Sequence, residues 1–327
     1  MKHRIQRLKR RARPLKSAFQ TITGYWYDWA RFMKYSGWKL SNRDAAVRNY
    51  VTVKIYHRLE KSLSFRNRRT GSGWEALHEL LGIVKASGAT DTLGFQDKVA
   101  VNVLKTFVSE TPPPACSVET DSAIRYINDL PSYPEVGGGY TTLSAEALAA
   151  GTLEHPESFF YSRHSIRDYS NHPVDRDLVL RAINLASKSP SVCSRQAWHV
   201  YELSDRGQID LALKHQNGNR GFGHEVPCLL IVAADLRAFD SGYERYQPWI
   251  DGGMFAMSIV YALHSLGLGS CCLNWSRTPK QDRALRRDIP IAAQHSVIMM
   301  IACGYPNETI RGCASARRPI SEIYTPL

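Results

Sequence analysis

Basic and hydroxyl side chains are concentrated in the segment YSRHSIRDYSNHPV, where Arg163, His164, Ser165 and Arg167 occupy four of five positions. A phosphate group or an electron-rich heterocycle needs charge-assisted donors from fixed directions, and arginine presents them in a planar fork. The segment therefore indicates an anion-binding site just before a predicted helix. Standing alone, the motif would be interpreted as a basic surface loop.

A second chemistry is suggested by SPSVCSRQAW, in which Cys193 is followed closely by His199. A thiol activated by an imidazole is the arrangement of a cysteine nucleophile. However, a predicted strand begins here, its alternation turns His199 away from Trp198, and no third residue that could orient the histidine is evident. A structural role for His199 is favoured, and a hydrolase that uses Cys193 stays open as an alternative.

The seven cysteines include no CxxC pair, and most of them lie in apolar runs. Neither a disulfide framework nor a metal site is therefore predicted. Reduced thiols in a cytoplasmic protein are expected.

The elements that must position these residues alternate between helix and strand from residue 156 onward. Helices are predicted over DRDLVLRAINLASKS, residues 250–266 and PKQDRALRRD, and strands over AWHVYEL, VPCLLIVAAD, GSCCLNW and SVIMMIACGYP. Such alternation predicts an α/β or α+β layered domain. The sequence contains neither GxGxxG after a strand nor GxxxxGK[ST], which argues against a Rossmann dinucleotide site and a P-loop NTPase.

Residues 252–275 contain no charged side chain over 24 positions, a length that could cross a membrane. Gly267 interrupts the run, and His264 lies inside it, while Asp251 suits a helix start. We therefore expect a buried helix that ends at a glycine cap and is followed by a short strand. His264 is expected in the core or at an interface.

The positive charge lies at the amino-terminal end, where residues 1–70 hold 19 Lys/Arg and three acidic residues, a net charge of +16 against −4 for the remainder. Helical periodicity predicts a basic helical region over 1–110, and ETPPPACS ends it, so that 111–155 is expected to be a linker or a wrapping segment.

The region MKHRIQRLKRRARPLK, followed by GYWYDWARFMKYSGW, suits a helix on an anionic membrane surface through residues 1–40. The alternatives are a solvated tail and a helix that packs its aromatic residues on the main domain. Nucleic acid is not expected as a partner, and no apolar region typical of a secretory signal follows the basic residues.

Taken together, six segments resemble the nitroreductase family of FMN-dependent oxidoreductases. They are the R-x-S-x-R type motif at 163–167 with Pro173–Val174, the segment 190–198, GLG at 267–269 with the preceding helix, LNW at 273–275, CGYP at 303–306 and ARRP at 316–319. The resemblance covers residues 156–327. It implies an α+β fold, a nitroreductase-like three-layer α/β/α sandwich with a mostly antiparallel sheet, preceded here by a helical amino-terminal region. It also implies a homodimer with FMN at the interface.

The resemblance further implies which residues hold FMN, and it assigns no catalytic residue and no metal ligand. The implied cofactor-binding residues are Arg163, His164, Ser165, Arg167, Pro190, Ser191, Ser194, Cys272, Leu273, Asn274, Trp275 and Arg317. Ser194 stands where the family has asparagine, and Ala197 stands where it has proline, so that contacts with the flavin ring are expected to differ.

The implied activity is transfer of hydride from NAD(P)H through bound FMN to a small organic acceptor. The alternative is a catalytically degenerate flavin-fold binding protein that docks on a membrane or an acidic partner through its basic arm. In either case a peripheral position at the inner membrane face is compatible with the charge distribution.

Overall fold

The computed structural model describes residues 2–39, 44–69, 71–88, 93–114 and 117–327, with residues 2–14 and Lys39 described by their backbone alone. Two features used in the sequence analysis lie outside the described residues. They are Cys116 and the side chains of the basic stretch 1–14. Backbone contacts group the chain into two compact units. Unit 1 comprises residues 1–153, 190–197 and 234–251, and unit 2 comprises residues 154–189, 198–233 and 252–327.

Unit 1 is helical. Its helices are α1 (Lys2–Tyr35), α2 (Ala45–Ser64), α3 (Trp74–Gly88), α4 (Phe95–Glu110), α5 (Val118–Asp129) and α6 (Ala145–Ala149). Apolar side chains at three- and four-residue spacing form its core, and Leu59, Leu77, Leu104 and Phe107 are fully buried there. Asp44 caps α2 by accepting hydrogen bonds from two backbone amides of its first turn.

The segment that follows α5 packs closely on α4. The Asn102 side chain donates hydrogen bonds to the carbonyls of Tyr133 (2.6 Å) and Gly137 (2.7 Å). Gly138 has a φ of +113°, and a Cβ atom there would lie 3.0 Å from the Val99 carbonyl oxygen. The glycine run in YPEVGGGY therefore permits both a left-handed backbone and a close approach to the helix. The domain boundaries proposed at 110 and 155 stay a prediction.

Unit 2 is built on a four-stranded sheet with the order β1-β2-β4-β3. The strands are β1 (Trp198–Leu203), β2 (Cys228–Asp235), β3 (Gly269–Asn274) and β4 (His295–Gly304). β3 pairs antiparallel with β4 in a register that aligns Gly269 with Gly304. β3 is thus an outer strand of the sheet.

Helices cover both faces of this sheet. The unit contains α7 (Pro156–Ser162), α8 (Arg176–Ala186), α9 (Arg206–Lys214), α11 (Pro279–Asp288) and most of α10 (Gln247–Ser265). Alternate residues of β2 enter two different cores: Leu229 and Ile231 pack with α9 and α11, whereas Leu230 and Val232 pack with α8 and α10. The period-2 alternation of strand side chains therefore produces a three-layer sandwich. The predicted α+β class with a helical amino-terminal region is confirmed.

The uncharged stretch 252–275 folds as a buried helix and a strand. α10 ends in a cap where Gly267, with a φ of +79°, donates to the His264 carbonyl and Leu268 donates to the Leu263 carbonyl at 2.9 Å. No helix among the described residues is long and apolar enough to cross a membrane. The predicted helix start at Asp251 is wrong, because α10 begins at Gln247, whose side chain donates to the Asp251 carboxylate at 2.7 Å.

Candidate flavin site

The basic motif follows helix α7 directly, and contacts between α7 and α10 fix the position where the motif begins. The Phe159 ring lies 5.7 Å from the Tyr261 ring and 5.1 Å from the His264 ring. The Nε2 atom of His264 also lies 3.0 Å from the Ser162 hydroxyl and 3.1 Å from the Phe159 carbonyl oxygen. The carboxyl end of α7, from which Arg163 follows directly, is therefore held against the sandwich.

Residues 165–170 run along the outer edge of the sheet. Ser165 forms a parallel bridge with Ser270 of β3, and the Ile166 amide donates to the Ser270 carbonyl at 2.9 Å. Tyr169 then forms an antiparallel bridge with Pro306, just beyond β4. This pairing makes the segment an extended ribbon, so that successive side chains point to opposite sides.

Two glycines of the sequence motifs make room for this ribbon. A Cβ atom at Gly269 would lie 2.8 Å from the Ile166 side chain, and one at Gly304 would lie 2.9 Å from the Tyr169 ring. At Gly304 the Pro227 ring would be nearer still, so a larger residue requires the ribbon to move at Gly269 and both Pro227 and the ribbon to move at Gly304. Close packing against the basic segment thus accounts for the glycine of the GLG motif, and close packing against Pro227 and Tyr169 accounts for that of the GYP motif.

Tyr169 anchors the same ribbon through its hydroxyl group. The hydroxyl lies 2.8 Å from the Ile166 carbonyl oxygen and 3.2 Å from the Ala302 carbonyl oxygen of β4. Burial raises the pKa of Tyr169 far above its ordinary value, so the group is a neutral donor at physiological pH. Tyr169 therefore positions the backbone segment that carries Arg163 and Arg167.

Three arginines and a histidine meet in one cleft of about 290 Å³. The lining residues come from the end of α7, from the basic motif and from the carboxyl-terminal segment: Phe160, Tyr161, Arg163, His164, Ser165, Arg167, Cys313, Ala314, Ser315 and Arg317. None of these residues is acidic. The cleft is therefore suited to an anion.

Arg167 and Arg317 are held differently within the cleft. Arg167 Nη1 donates to the Ser165 carbonyl at 3.4 Å and lies 3.5 Å from the Cys313 sulfur. Burial raises the pKa of the Cys271 thiol in β3, and the charge of Arg167 opposes that shift. Arg317 Nη1 donates to the carbonyl of Ser315, a residue with a φ of +46°.

Five cleft residues were not among the predicted site residues, namely Phe160, Tyr161, Cys313, Ala314 and Ser315. The first two directly precede the basic motif, so their aromatic character was an available signal. Cys313 and Ala314 carry no such signal, because only the fold brings the carboxyl-terminal segment beside residues 163–167.

The predicted site residues 272–275 lie on and just after β3 and do not line this cleft. Cys272 and Asn274 are exposed, whereas Leu273 is buried in the core. The Trp275 indole donates to the Asp282 carboxylate at 2.9 Å. Strand alternation thus leaves Cys272 and Asn274 as the two side chains of this segment that a ligand can reach.

The predicted site residues Pro190, Ser191 and Ser194 lie in a loop of unit 1. The Ser191 hydroxyl accepts a hydrogen bond from the Gln196 amide at 2.9 Å, and the Ser194 amide donates to the Ser191 carbonyl at 3.0 Å. Cys193, Ser194 and Gln196 have positive φ angles of 50°, 55° and 51°. Asparagine tolerates this left-handed region better than serine, so Ser194 carries a backbone cost besides its different side-chain chemistry.

Buried polar groups hold this loop from inside unit 1. Arg195 donates to the carbonyl oxygens of Ala238 (2.5 Å) and Val192 (3.2 Å) and pairs with the Glu244 carboxylate. The Asp251 carboxylate accepts a hydrogen bond from the Val192 amide at 3.2 Å, and burial raises the pKa of Asp251. The strained turn is therefore stabilised by two charged side chains beneath it.

Cys193 belongs to unit 1, whereas His199 is an exposed residue of β1 in unit 2 that lies beside two other rings. Its ring lies 4.6 Å from the Tyr201 ring and 4.7 Å from the His295 ring. Among the residues that the structure describes, no three His, Cys, Asp or Glu side chains lie together as metal ligands would.

Comparison with known proteins places the carboxyl-terminal half in a family. The model of the Nitroreductase family matches residues 161–214 and 205–305. These residues, which include the basic ribbon and all four strands, are a nitroreductase-family segment. The resemblance predicted from the six motifs is thus confirmed over this part of the chain.

Relatives match the same half of the chain. A protein of Archaeoglobus fulgidus, named provisionally as an NADH dehydrogenase/NAD(P)H nitroreductase, is 28% identical over 160 residues, which cover 48% of this chain and 88% of the relative. A protein of Thermus thermophilus named NADH dehydrogenase is 24% identical over 192 residues, which cover 49% and 90%. The family match and these relatives support an oxidoreductase.

Solved structures with a similar fold include an FMN-dependent nitroreductase of Clostridium difficile, with 20% identity, a TM-score of 0.45 and coverage of 51% of this chain and 97% of that one. A provisionally assigned nitroreductase of Desulfovibrio desulfuricans in complex with FMN has 21% identity, a TM-score of 0.47 and coverage of 54% and 98%.

Proposed function

We propose that residues 156–327 form an FMN-dependent oxidoreductase that takes electrons from NAD(P)H and passes them to a small organic acceptor. The observation that carries this proposal is the cleft in which Arg163, Arg167 and Arg317 meet without an acidic neighbour among its lining residues. This cleft lies in the half of the chain where the nitroreductase family matches.

The residues present fit the phosphate end of FMN. A phosphate monoester carries a charge of about −1.5 to −2 at neutral pH and offers three acceptor oxygens. Arg163 and Arg317 would bind it through charge-assisted hydrogen bonds, and the Ser165 hydroxyl supplies a further donor. A volume of about 290 Å³ is at the lower limit of small-molecule pockets, which suits a phosphate-bearing end better than a complete cofactor.

Other residues would act on the flavin ring. When bound, FMN supplies the two-electron chemistry that links a nicotinamide donor to an organic acceptor. Arg167 holds a fixed positive charge, which favours electron uptake by a neighbouring group. Tyr169 keeps the Arg167 backbone in place, and the exposed Cys272 and Asn274 offer contacts along β3.

We further propose that the protein is a homodimer and that its carboxyl-terminal segment packs on the second copy. Every residue from Arg311 to Leu327 is exposed, including the apolar side chains of Ile320, Ile323 and Tyr324. A defined extended segment with exposed apolar residues is typical of an arm that a partner subunit covers. Removal of residues 320–327 should yield a monomer by light scattering, and an unchanged mass would contradict this assignment.

Flavin content tests the function directly. The purified protein should be yellow and should bind one FMN per chain. Arg317→Ala should weaken FMN binding about 10- to 100-fold, since a hydrogen bond to a charged group contributes roughly 1.5–3 kcal/mol. Arg318→Ala is the matched control, because Arg318 adjoins Arg317 in sequence but does not line the cleft.

A colourless protein that FMN cannot reconstitute would refute the enzyme and leave the degenerate binding scaffold. Flavin-independent hydrolysis that Cys193→Ala abolishes would instead favour the cysteine hydrolase. Equal loss of FMN in Arg317→Ala and Arg318→Ala would show that the cleft does not bind the phosphate.

A further inference from the structure

The amino-terminal helix α1 carries a row of exposed apolar side chains that the proposed oxidoreductase does not use. The row consists of Leu15, Phe19, Ile22, Trp26 and Trp29, each between 50% and 76% exposed. Their spacing of four, three, four and three residues places them on one face of a helix. Exposed apolar rows of this size are uncommon on a protein surface without a binding role.

Among the described side chains of α1, those from Leu15 to Tyr35, full burial is found close to the carboxyl end. Between residues 15 and 35, the buried residue is Phe32, which joins Tyr35 in a small core with Phe239. The Ser36 hydroxyl then donates to the Phe239 carbonyl at 2.5 Å. Because a helix obtains most of its stability from packing an amphipathic face, the row at 15–29 calls for a surface to lie against.

The aromatic surface continues beside the row. Tyr25 and Trp29 of α1 line a cleft of about 420 Å³ together with Arg245, Tyr246 and Trp249 of the same unit. Tyr246 is also exposed, and the Arg245 guanidinium lies 4.5 Å from its ring. Amphipathic aromatic side chains next to cations are typical of proteins at a membrane–water interface.

The charge on this helix selects among partners. α1 contains ten Lys/Arg residues and a single acidic residue, Asp28, and eight of the ten lie within residues 2–16. The apolar spacing alone would also fit a coiled coil between two copies. A parallel pair would bring the two basic segments together, and an antiparallel pair would place each of them beside a stretch that holds Arg31, Lys34 and a single carboxylate. An anionic surface is therefore the complementary partner.

We propose that α1 lies in the plane of an anionic membrane surface and anchors the protein there. The row Leu15–Trp29 enters the interfacial layer, and the positive charge that the sequence carries over residues 2–16 attracts the helix to the anionic lipids. The proposal does not depend on a bound cofactor, and the far-ultraviolet circular dichroism spectrum of each variant serves as the control for correct folding.

Co-sedimentation of the full chain with lipid vesicles tests it. The protein should bind vesicles of phosphatidylcholine and phosphatidylglycerol, and bind those of phosphatidylcholine alone much more weakly. Arg10→Gln/Arg11→Gln/Arg13→Gln should weaken binding roughly 100-fold, because each basic residue near an anionic surface contributes about 1 kcal/mol, which is about fivefold in affinity. Phe19→Ala/Ile22→Ala should weaken it at least about tenfold through lost apolar burial.

Matched controls lie elsewhere on the exposed surface. Arg125→Gln/Arg181→Gln/Lys188→Gln removes the same charge, and Val118→Ala/Leu148→Ala removes apolar side chains that are 85% and 64% exposed. Both controls should bind vesicles as the parent protein does. Brominated lipids should quench tryptophan fluorescence in the parent and much less in Trp26→Phe/Trp29→Phe.

Three results would overturn the proposal. The first is equal binding of the parent to neutral and anionic vesicles, or no binding to either. The second is loss of an oligomer in Phe19→Ala/Ile22→Ala without an effect on vesicle binding, which would assign the row to self-association. The third is binding to duplex DNA that the triple arginine variant abolishes and the apolar variant leaves unchanged.

Discussion

Replacement of Arg195 by methionine should destabilise unit 1 by about 3 kcal/mol. The Arg195 side chain is 1% exposed and the paired Glu244 side chain is 18% exposed. The substitution removes the cation and leaves the carbonyl oxygens of Val192 and Ala238 without that donor. Loss of one partner of a buried ion pair costs about 3–5 kcal/mol, and partial access of water to Glu244 favours the lower value.

Urea denaturation followed by circular dichroism measures this loss, and the melting temperature should fall by roughly 6–12 °C. Arg195→Met/Glu244→Gln should recover about 1–3 kcal/mol of it, because the unpaired carboxylate is then absent. Arg58→Met is the control, since Arg58 and Glu79 form a pair at 3.0 Å in which both side chains are about half exposed. That variant should lose less than about 1 kcal/mol. A loss below about 1 kcal/mol in Arg195→Met, or a double variant no more stable than the single, would refute the role assigned to this pair.

Three further outcomes follow from the site. Ser194→Gly should be more stable than Ser194→Ala by about 1 kcal/mol, because glycine adopts a φ of 55° without the Cβ penalty; equal stabilities in thermal melts would contradict this. Tyr169→Phe should lose about 1–2 kcal/mol of stability and release FMN faster in stopped-flow dilution, because the Ile166 carbonyl loses its donor; unchanged release would refute the positioning role. Burial raises the pKa of Asp251 above 3.8, so its native form keeps the proton to a higher pH than the unfolded chain and its contribution to stability declines as the pH rises through the native pKa. Asp251→Asn should flatten that decline in urea titrations at a series of acidic pH values, and an unaltered profile would show that another group causes it.

The element pattern of residues 156–327 was predictable because strands and helices that bury one face repeat at different periods. VPCLLIVAAD contains β2, and PKQDRALRRD is α11. The start of α10 was not predictable in the same way. Asp251 resembled a helix cap, yet the helix continues back to Gln247, and the carboxylate serves the Val192 amide instead.

The basic motif was recognisable as an anion-binding segment because its residue types lie next to one another in the sequence. The sequence pattern did not predict that Arg317 and Cys313 complete the cleft, because these residues are about 150 positions away in the chain. Arg317 was singled out through the family resemblance, and Cys313 was not singled out at all. Periodicity reports which face of an element is buried and does not report which distant segments share a cleft.

By itself, the sequence determined the segregation of charge, the order of helices and strands from residue 156 onward, and the resemblance to the nitroreductase family that the family match confirms over residues 161–305. The reason why particular residues occupy the motifs became clear from the tertiary structure alone. Glycine is required at position 269 because Ile166 packs against it and at position 304 because Pro227 and Tyr169 do. Ser194 lies in a left-handed turn that Arg195 and Asp251 hold from below. The physical reason is that close packing and backbone strain arise between segments far apart in the chain, whereas the sequence pattern records local burial and charge.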